Sequence, residues 1–264
     1  MPQLTDPARE LAELCERLAS SSSKRGDLHL AELFDVAPWS REFYQIVFTI
    51  VDRCDFVISI VETLELDDDF RGEAVAHIQA IKAAFDYDAM ANVWSHRGLV
   101  QLNAANVQPL KMLCYPVRAK ISFPRLNEEE IADVLAMVID LETWLAEQQL
   151  SEHDFIRQAI IEGVSQFRFR LERVGWLGWG YTIASLREVV SAYYTLHSVS
   201  NGPAENPDAE AVLAKVRSFV QATYEKTKVG KDVVETVDAM LKVYGAAVLT
   251  INAIPGVAGL LRHG

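Results

Sequence analysis

The sequence predicts an all-α protein: a multi-helix bundle of about nine or ten helices, with an irregular proline-rich segment and a hydrophobic C-terminal helix. Two observations carry this reading. Apolar residues recur at helical spacing through most of the chain, and capping residues or first-turn prolines stand where such stripes begin.

Asp6 followed by Pro7 reads as an N-cap with proline at the first helical position, and Leu11, Leu14, Cys15 and Leu18 form the first stripe. Ser20 to Ser23 and Gly26 end it. A short helix around Leu28 to Phe34 stops before Pro38, and Ser40 caps a third that runs to about Leu66. Apolar residues from Phe43 to Val61 cover most of its circumference, as in a helix surrounded by others. The next is amphipathic, with Phe70, Ala74, Ile78, Ile81 and Phe85 on one face and Asp67 to Asp69 at its positive end. A helix near Met90 to Leu102 comes after it.

Pro109, Pro116 and Pro124 then predict irregular or extended backbone, with a short strand at Ala119 to Phe123. This is the expected internal boundary, dividing the chain into parts 1–126 and 127–264 unless both belong to one continuous domain. Asn127 and Glu130 form a capping-box pattern ahead of Ile131, Val134, Leu135, Val138, Leu141 and Leu145. Ser151 and Asp154 open a helix carrying Phe155, Ile160, Val164 and Leu171, which Gly175, Gly178 and Gly180 should break. A helix from Thr182 to His197, a polar loop, a helix from Pro207 to about Lys228, and a last helix over 231–261 complete the expectation.

Composition narrows the function classes. The net charge of −12, from 25 Lys+Arg against 37 Asp+Glu, disfavours broad nucleic-acid binding, which needs a dense basic surface. Cys15, Cys54 and Cys114 follow no metal-ligand or CxxC spacing and read as small apolar residues in a reducing cytosol. No basic region followed by an apolar run marks the first residues as a secretory signal. The expected location is therefore cytoplasmic, with the C-terminal run peripheral to or inserted in the inner membrane face.

That run, Val243 to Leu261, has 19 residues without one acidic or basic side chain. At ~1.5 Å per residue it reaches ~29 Å, close to the ~30 Å of a bilayer's hydrocarbon layer. Pro255 divides it, however, and Val243 to Ile254 alone has the length of a core helix or a partial insertion. The eight Val, Ile and Leu residues of the whole run favour insertion by roughly 2 to 5 kcal/mol, from which Thr250, Asn252, the glycines and the proline subtract. Membrane segment, partner helix and core helix all remain open. Gly245, Ala246, Ala247, Ala253, Gly256, Ala258 and Gly259 would permit close helix approach in any of these settings. Val248, Ile251, Ile254, Leu260 and Leu261 are the expected contacts to a membrane or partner. Arg168, Arg170 and Arg173, with Trp176 and Trp179, form a second expected contact, since basic and aromatic residues beside glycines suit lipid headgroups, an acidic partner or nucleic acid bases. The alternative is a helical corner with its tryptophans in the core and its arginines paired to residues such as Glu172.

Chemical motifs are sparse. Asp69, Glu73 and His77 share a helix face by their spacing and are the metal-ligand candidates, although a solvated acidic helix start accounts for them without a metal. No HExxH, Glu-x-x-His pair, phosphate loop or nucleophile elbow occurs, and no metal or cofactor is expected. The stretch RGEAVAH, Arg71 to His77, resembles the R-x5-H motif of HEPN-type helical ribonucleases. The resemblance implies RNA cleavage by Arg71 and His77, with Gly72 standing where that family commonly has a polar residue. Glu130-x-x-Asp133 resembles half of the metal-binding pattern of MazG-like nucleotide pyrophosphohydrolases, and the upstream Glu-x-x-Glu half is missing. The expected function is that of a non-enzymatic effector or adaptor acting by self-association, protein contact or membrane contact of its apolar tail. The alternatives are a HEPN-like ribonuclease toxin using Arg71 and His77, and a soluble regulator whose tail is only core.

Overall fold

A computed structural model describes residues 4–227, apart from 149, 151–153, 187–188, 191, 194 and 197–206. Within these the protein is all-α, and the described strands are two residues long. The expected helix 231–261, with Val248, Ile251, Ile254, Leu260 and Leu261, lies outside the described residues. The chain divides into two compact bodies, and Gly175–Gly178 belongs with Thr5–Ser122 rather than with its sequence neighbours.

In the body built on Thr5–Ser122, α1 (Pro7–Leu18) starts as its sequence predicts: Asp6 accepts from the Arg9 N–H at 2.9 Å. Arg118 closes on the same buried carboxylate at 2.9 Å. After α2 (Gly26–Phe34), Ser40 caps α3 (Arg41–Thr63) by accepting from the Phe43 N–H. Phe43, Ile46, Ile50, Val57 and Val61 of α3 are buried. The helix is not enclosed on all sides, because Tyr44 and Phe48 remain 39% and 59% exposed. In α4 (Asp68–Ala83), Ala74, Ile78 and Ile81 face inward, whereas Phe70, at the first turn, is 36% exposed.

The helix expected over Met90 to Leu102 is instead three short pieces: α5 (Tyr87–Ala91), a 3₁₀ turn at Trp94–His96, and α6 (Gly98–Gln101). Trp94 decides this. Its ring is fully buried and its indole N–H donates to the Ser20 carbonyl at 3.1 Å. A Cβ on Gly98 would stand 2.0 Å from that ring, so only glycine lets the backbone pass.

The proline-rich segment is also helical. α7 (Ala104–Lys120) runs for 17 residues with Pro109 and Pro116 inside it. An interior proline costs ~3 kcal/mol or more in an isolated helix. Here Val107, Leu110, Leu113 and Val117 are all buried, and α7 packs on α1 and α4. Burying four such side chains is worth ~1.5–3 kcal/mol each, enough to outweigh the local preference.

In the other body, β2 (Phe123–Pro124) pairs with β1 (Leu4–Thr5), whose Leu4 belongs to this body, so the strand lies at the end of the expected stretch. Both halves of the capping box form at α8 (Glu128–Glu147): Glu130 N–H to Asn127 Oδ1 and Asn127 N–H to Glu130 Oε2, each 2.8 Å. α9 (Asp154–Glu172) buries Ile160, Val164, Phe167 and Leu171, and leaves Phe155 69% exposed at its first turn. The short α10 (Val174–Leu177) and α11 (Trp179–Ala184) come next, and α12 (Pro207–Thr227) is the last described helix. Gly178 separates α10 from α11, while Gly180 lies inside α11. α8 packs against both α9 and α12. Among the described residues no helix is long and apolar enough to cross a membrane.

Candidate functional site

The glycine-flanked tryptophan Trp176 is held by residues of the Thr5–Ser122 body. Phe34 of α2 meets its ring edge-on at 5.2 Å, and the Arg17 guanidinium of α1 lies 4.7 Å from the ring centre. Arg53 of α3 is itself buried and donates to the Trp176 carbonyl at 2.7 Å. Gly178 has φ +82°, and a Cβ there would come within 2.7 Å of Glu10 and 2.8 Å of Arg53. An aromatic ring, a cation over its face and a charged donor on its carbonyl make a fitted socket.

The neighbouring basic residues, in the other body, are engaged locally. Arg168 pairs with Glu142 at 2.9 Å and Glu172 at 2.8 Å, Arg173 lies over the Phe169 ring, and Arg170 over Tyr181. Trp179 is buried. The five residues expected to form one basic-aromatic contact are thus distributed over two settings, each with its own intramolecular partners.

Arg71 and His77 do not converge in the contacts they make. Arg71 donates to Asp68 at 2.7 Å and to the Leu66 carbonyl at 2.8 Å, closing the turn between α3 and α4. His77 Nδ1 stands 3.0 Å from Asn106 Oδ1 on α7, and Asn106 donates in turn to the Gln101 carbonyl. Six residues apart on one helix, the two side chains point ~120° apart. Among the described residues no group of three His, Cys, Asp or Glu side chains could hold a metal ion, so Asp69, Glu73 and His77 do not assemble into such a group. Glu130 of the Glu130-x-x-Asp133 pair is taken up by its capping box.

All three cysteines are free thiols. Burial pushes the Cys15 thiol up to about 12 and the Cys114 thiol up to about 11, which favours the protonated thiol of both at neutral pH.

A surface feature that periodicity did not single out lies at the start of α3. Trp39 has φ +60°, a left-handed conformation that a bulky residue adopts at a cost of ~1–2 kcal/mol. Its indole N–H donates at 2.7 Å to Asp27, a fully buried carboxylate that also accepts from Arg25 and from the Leu28 N–H at 2.8 Å. Burial alone would raise the Asp27 carboxyl, but these bonds outweigh it and hold it below the ordinary range. From Trp39 a ladder of rings runs to Tyr44 at 5.8 Å and on to Phe48 at 5.7 Å, all partly exposed. The sequence signal is a tryptophan, Trp39, directly before the Ser40 cap, with Phe43, Tyr44 and Phe48 in the first two turns that follow.

The fold and these sites define an all-α protein with fitted aromatic contacts. No protein-family model, curated protein or solved structure matches the chain.

Proposed function

We propose that the protein is a non-enzymatic helical effector or adaptor that acts through association of its C-terminal apolar run with a membrane, a protein partner or a second copy. The observation that carries this is the stretch Val243 to Leu261, 19 residues without an acidic or basic side chain in a chain that is 23% charged over its full length. Such a run leaves water only by packing against something apolar. Its small residues allow a neighbouring helix to approach closely. The bonding of Arg71 to the α3–α4 turn and of His77 to Asn106 supports structural roles for the two catalytic candidates. The proposed location is the cytoplasm, at the inner membrane face when the run is engaged.

The test is liposome flotation and self-association of the full chain beside Val248→Asp and Ile251→Asp. A carboxylate at membrane depth costs roughly 2.5 to 3.5 kcal/mol, so either variant is expected to abolish association. Truncation after Lys242 is expected to leave a cooperatively melting body. A truncated chain without a cooperative melt, together with a full chain that neither floats nor self-associates, would make the run a structural helix and overturn the proposal.

A further inference from the structure

The longest described helix, α3, keeps one face uncovered along most of its length. Tyr44, Phe48, Val51, Asp55, Ile58 and Glu62 follow i, i+4, i+7, i+11, i+14, i+18 spacing, and all are exposed or half-buried. The face changes character from one end to the other. Its start is aromatic: the Tyr44 and Phe48 rings are stacked at 25° to one another, and the Trp39 ring adjoins Tyr44 at 49°. The Trp39 indole N–H is already satisfied by Asp27, so the exposed part of that ring needs no hydrogen bond from water. A bulky residue held at φ +60° with its ring 39% exposed is strain maintained at a surface rather than in the core.

The far end is acidic. From Glu62 the chain leaves α3 through Glu65 and Asp67 to Asp69 into α4, and residues 62–73 hold six acids against one base, Arg71. All six acids are exposed, and Arg71 is taken up by Asp68 and the Leu66 carbonyl. Between the two ends, Asp55 is paired with Lys82 of α4 at 2.7 Å. Tyr44 and Glu62 stand ~27 Å apart along the helix axis.

We infer that this face is a docking surface for a basic amphipathic helix of another protein, which sets apolar residues on Trp39, Tyr44 and Phe48 and its Lys and Arg side chains toward Glu62, Glu65 and the start of α4. A helix of ~18 residues spans the distance. Aromatic and arginine side chains carry much of the affinity of protein interfaces, and a guanidinium also binds over a ring face. The charge distribution selects this occupant over three others. Six exposed carboxylates repel the phosphates of nucleic acid and the anionic headgroups of a membrane. A second copy of the chain brings its own net charge of −12. Nor do the rings supply a dimer by area: at 39%, 39% and 59% exposure of ~150–250 Å² each, they offer ~200–350 Å² against ~800 Å² per partner in a stable interface. The remaining affinity has to come from charge, which the acidic end offers to a basic partner. The surface lies within the Thr5–Ser122 body and does not depend on association of residues 243–261.

The test is panning of the full chain against random peptides of ~18 residues displayed on phage, followed by the affinities of the enriched peptides made synthetically. Enrichment of peptides with apolar residues at helical spacing and an excess of Lys and Arg is expected. Phe48→Ser, at an exposed position, should weaken their binding at least ~tenfold. Glu62→Gln with Glu65→Gln should weaken it several-fold and flatten its salt dependence. Glu147→Gln with Glu162→Gln makes the same charge change at exposed positions of the other body and should leave binding unchanged, as should Val248→Asp. Each variant is checked by a circular dichroism melt, and Tyr44→Ser replaces Phe48→Ser if the latter does not melt cooperatively. No enrichment, peptides without a basic excess, equal binding by Phe48→Ser, or an equal loss in the two charge variants would overturn the inference. Loss of binding in Val248→Asp would overturn it by giving the peptide to the C-terminal run. Flotation with phosphatidylserine vesicles, or dimerisation in sedimentation, that Phe48→Ser abolishes would overturn it as well, giving the rings to a membrane in the first case and to a second copy in the other.

Discussion

Replacing Gly178 by alanine tests the socket around Trp176 at its tightest point. At φ +82° an alanine is strained by ~1–2 kcal/mol. Its Cβ also falls within 2.7 Å of Glu10 Oε2 and 2.8 Å of Arg53 Nη2. Both contacts are ends of flexible side chains, so the clash is relieved by movement rather than by breaking the backbone. Arg53 cannot move freely, however, because it holds the Trp176 carbonyl at 2.7 Å, and a hydrogen bond from a charged group is worth ~1.5–3 kcal/mol. The two costs together are about 2.5–5 kcal/mol. Gly72 is the internal control: it lies inside α4 with nothing within 4 Å of where a Cβ would stand, so alanine there gains ~0.8–1 kcal/mol of helix propensity. Urea unfolding followed by circular dichroism measures both, and Gly178→Ala should unfold at lower urea than the parent while Gly72→Ala unfolds at higher. A Gly178→Ala stability within ~0.5 kcal/mol of the parent would refute the argument that this glycine is required by its neighbours.

Three further outcomes are expected. Leu110→Ala removes a fully buried side chain from α7 and should cost ~2–5 kcal/mol in the same unfolding assay, whereas a surface-like loss below ~0.5 kcal/mol would contradict a packed helix through two prolines. Burial holds His29 below its ordinary range, with Lys24 adding to that effect, Glu32 opposing it, and Ser20 and the Trp94 ring packed against the imidazole. The unfolded chain therefore takes up this proton first as pH falls below ~6.5, and stability should decline from there toward the lower folded value; His29→Gln should flatten that part of the pH–stability curve. Arg71→Ala and His77→Ala should leave any cellular effect of the protein intact provided the variants fold, and an RNA-cleavage assay in which activity is lost with the fold retained would instead favour the ribonuclease reading.

Local signals determined the starts of helices and little beyond their ends. Asp6, Ser40 and Asn127 each cap the helix that the sequence predicts, because a cap is made between residues three apart and needs no tertiary partner. The stripes of α1 and α8 likewise name their own buried faces. Tertiary packing decided where local preference conflicts with burial. The prolines of α7 predict a break, but four buried side chains hold the helix through it. The residues from Met90 to Leu102 predict one helix, but Trp94 and Gly98 fragment it so that a fully buried indole can be seated. The contacts of Trp176 and Trp39 were likewise beyond sequence reading, because their partners, Arg53 and Asp27, lie 123 and 12 residues away. Periodicity reports which face of a helix avoids water, whereas the side chain that meets a given ring or carbonyl is chosen only when distant segments pack.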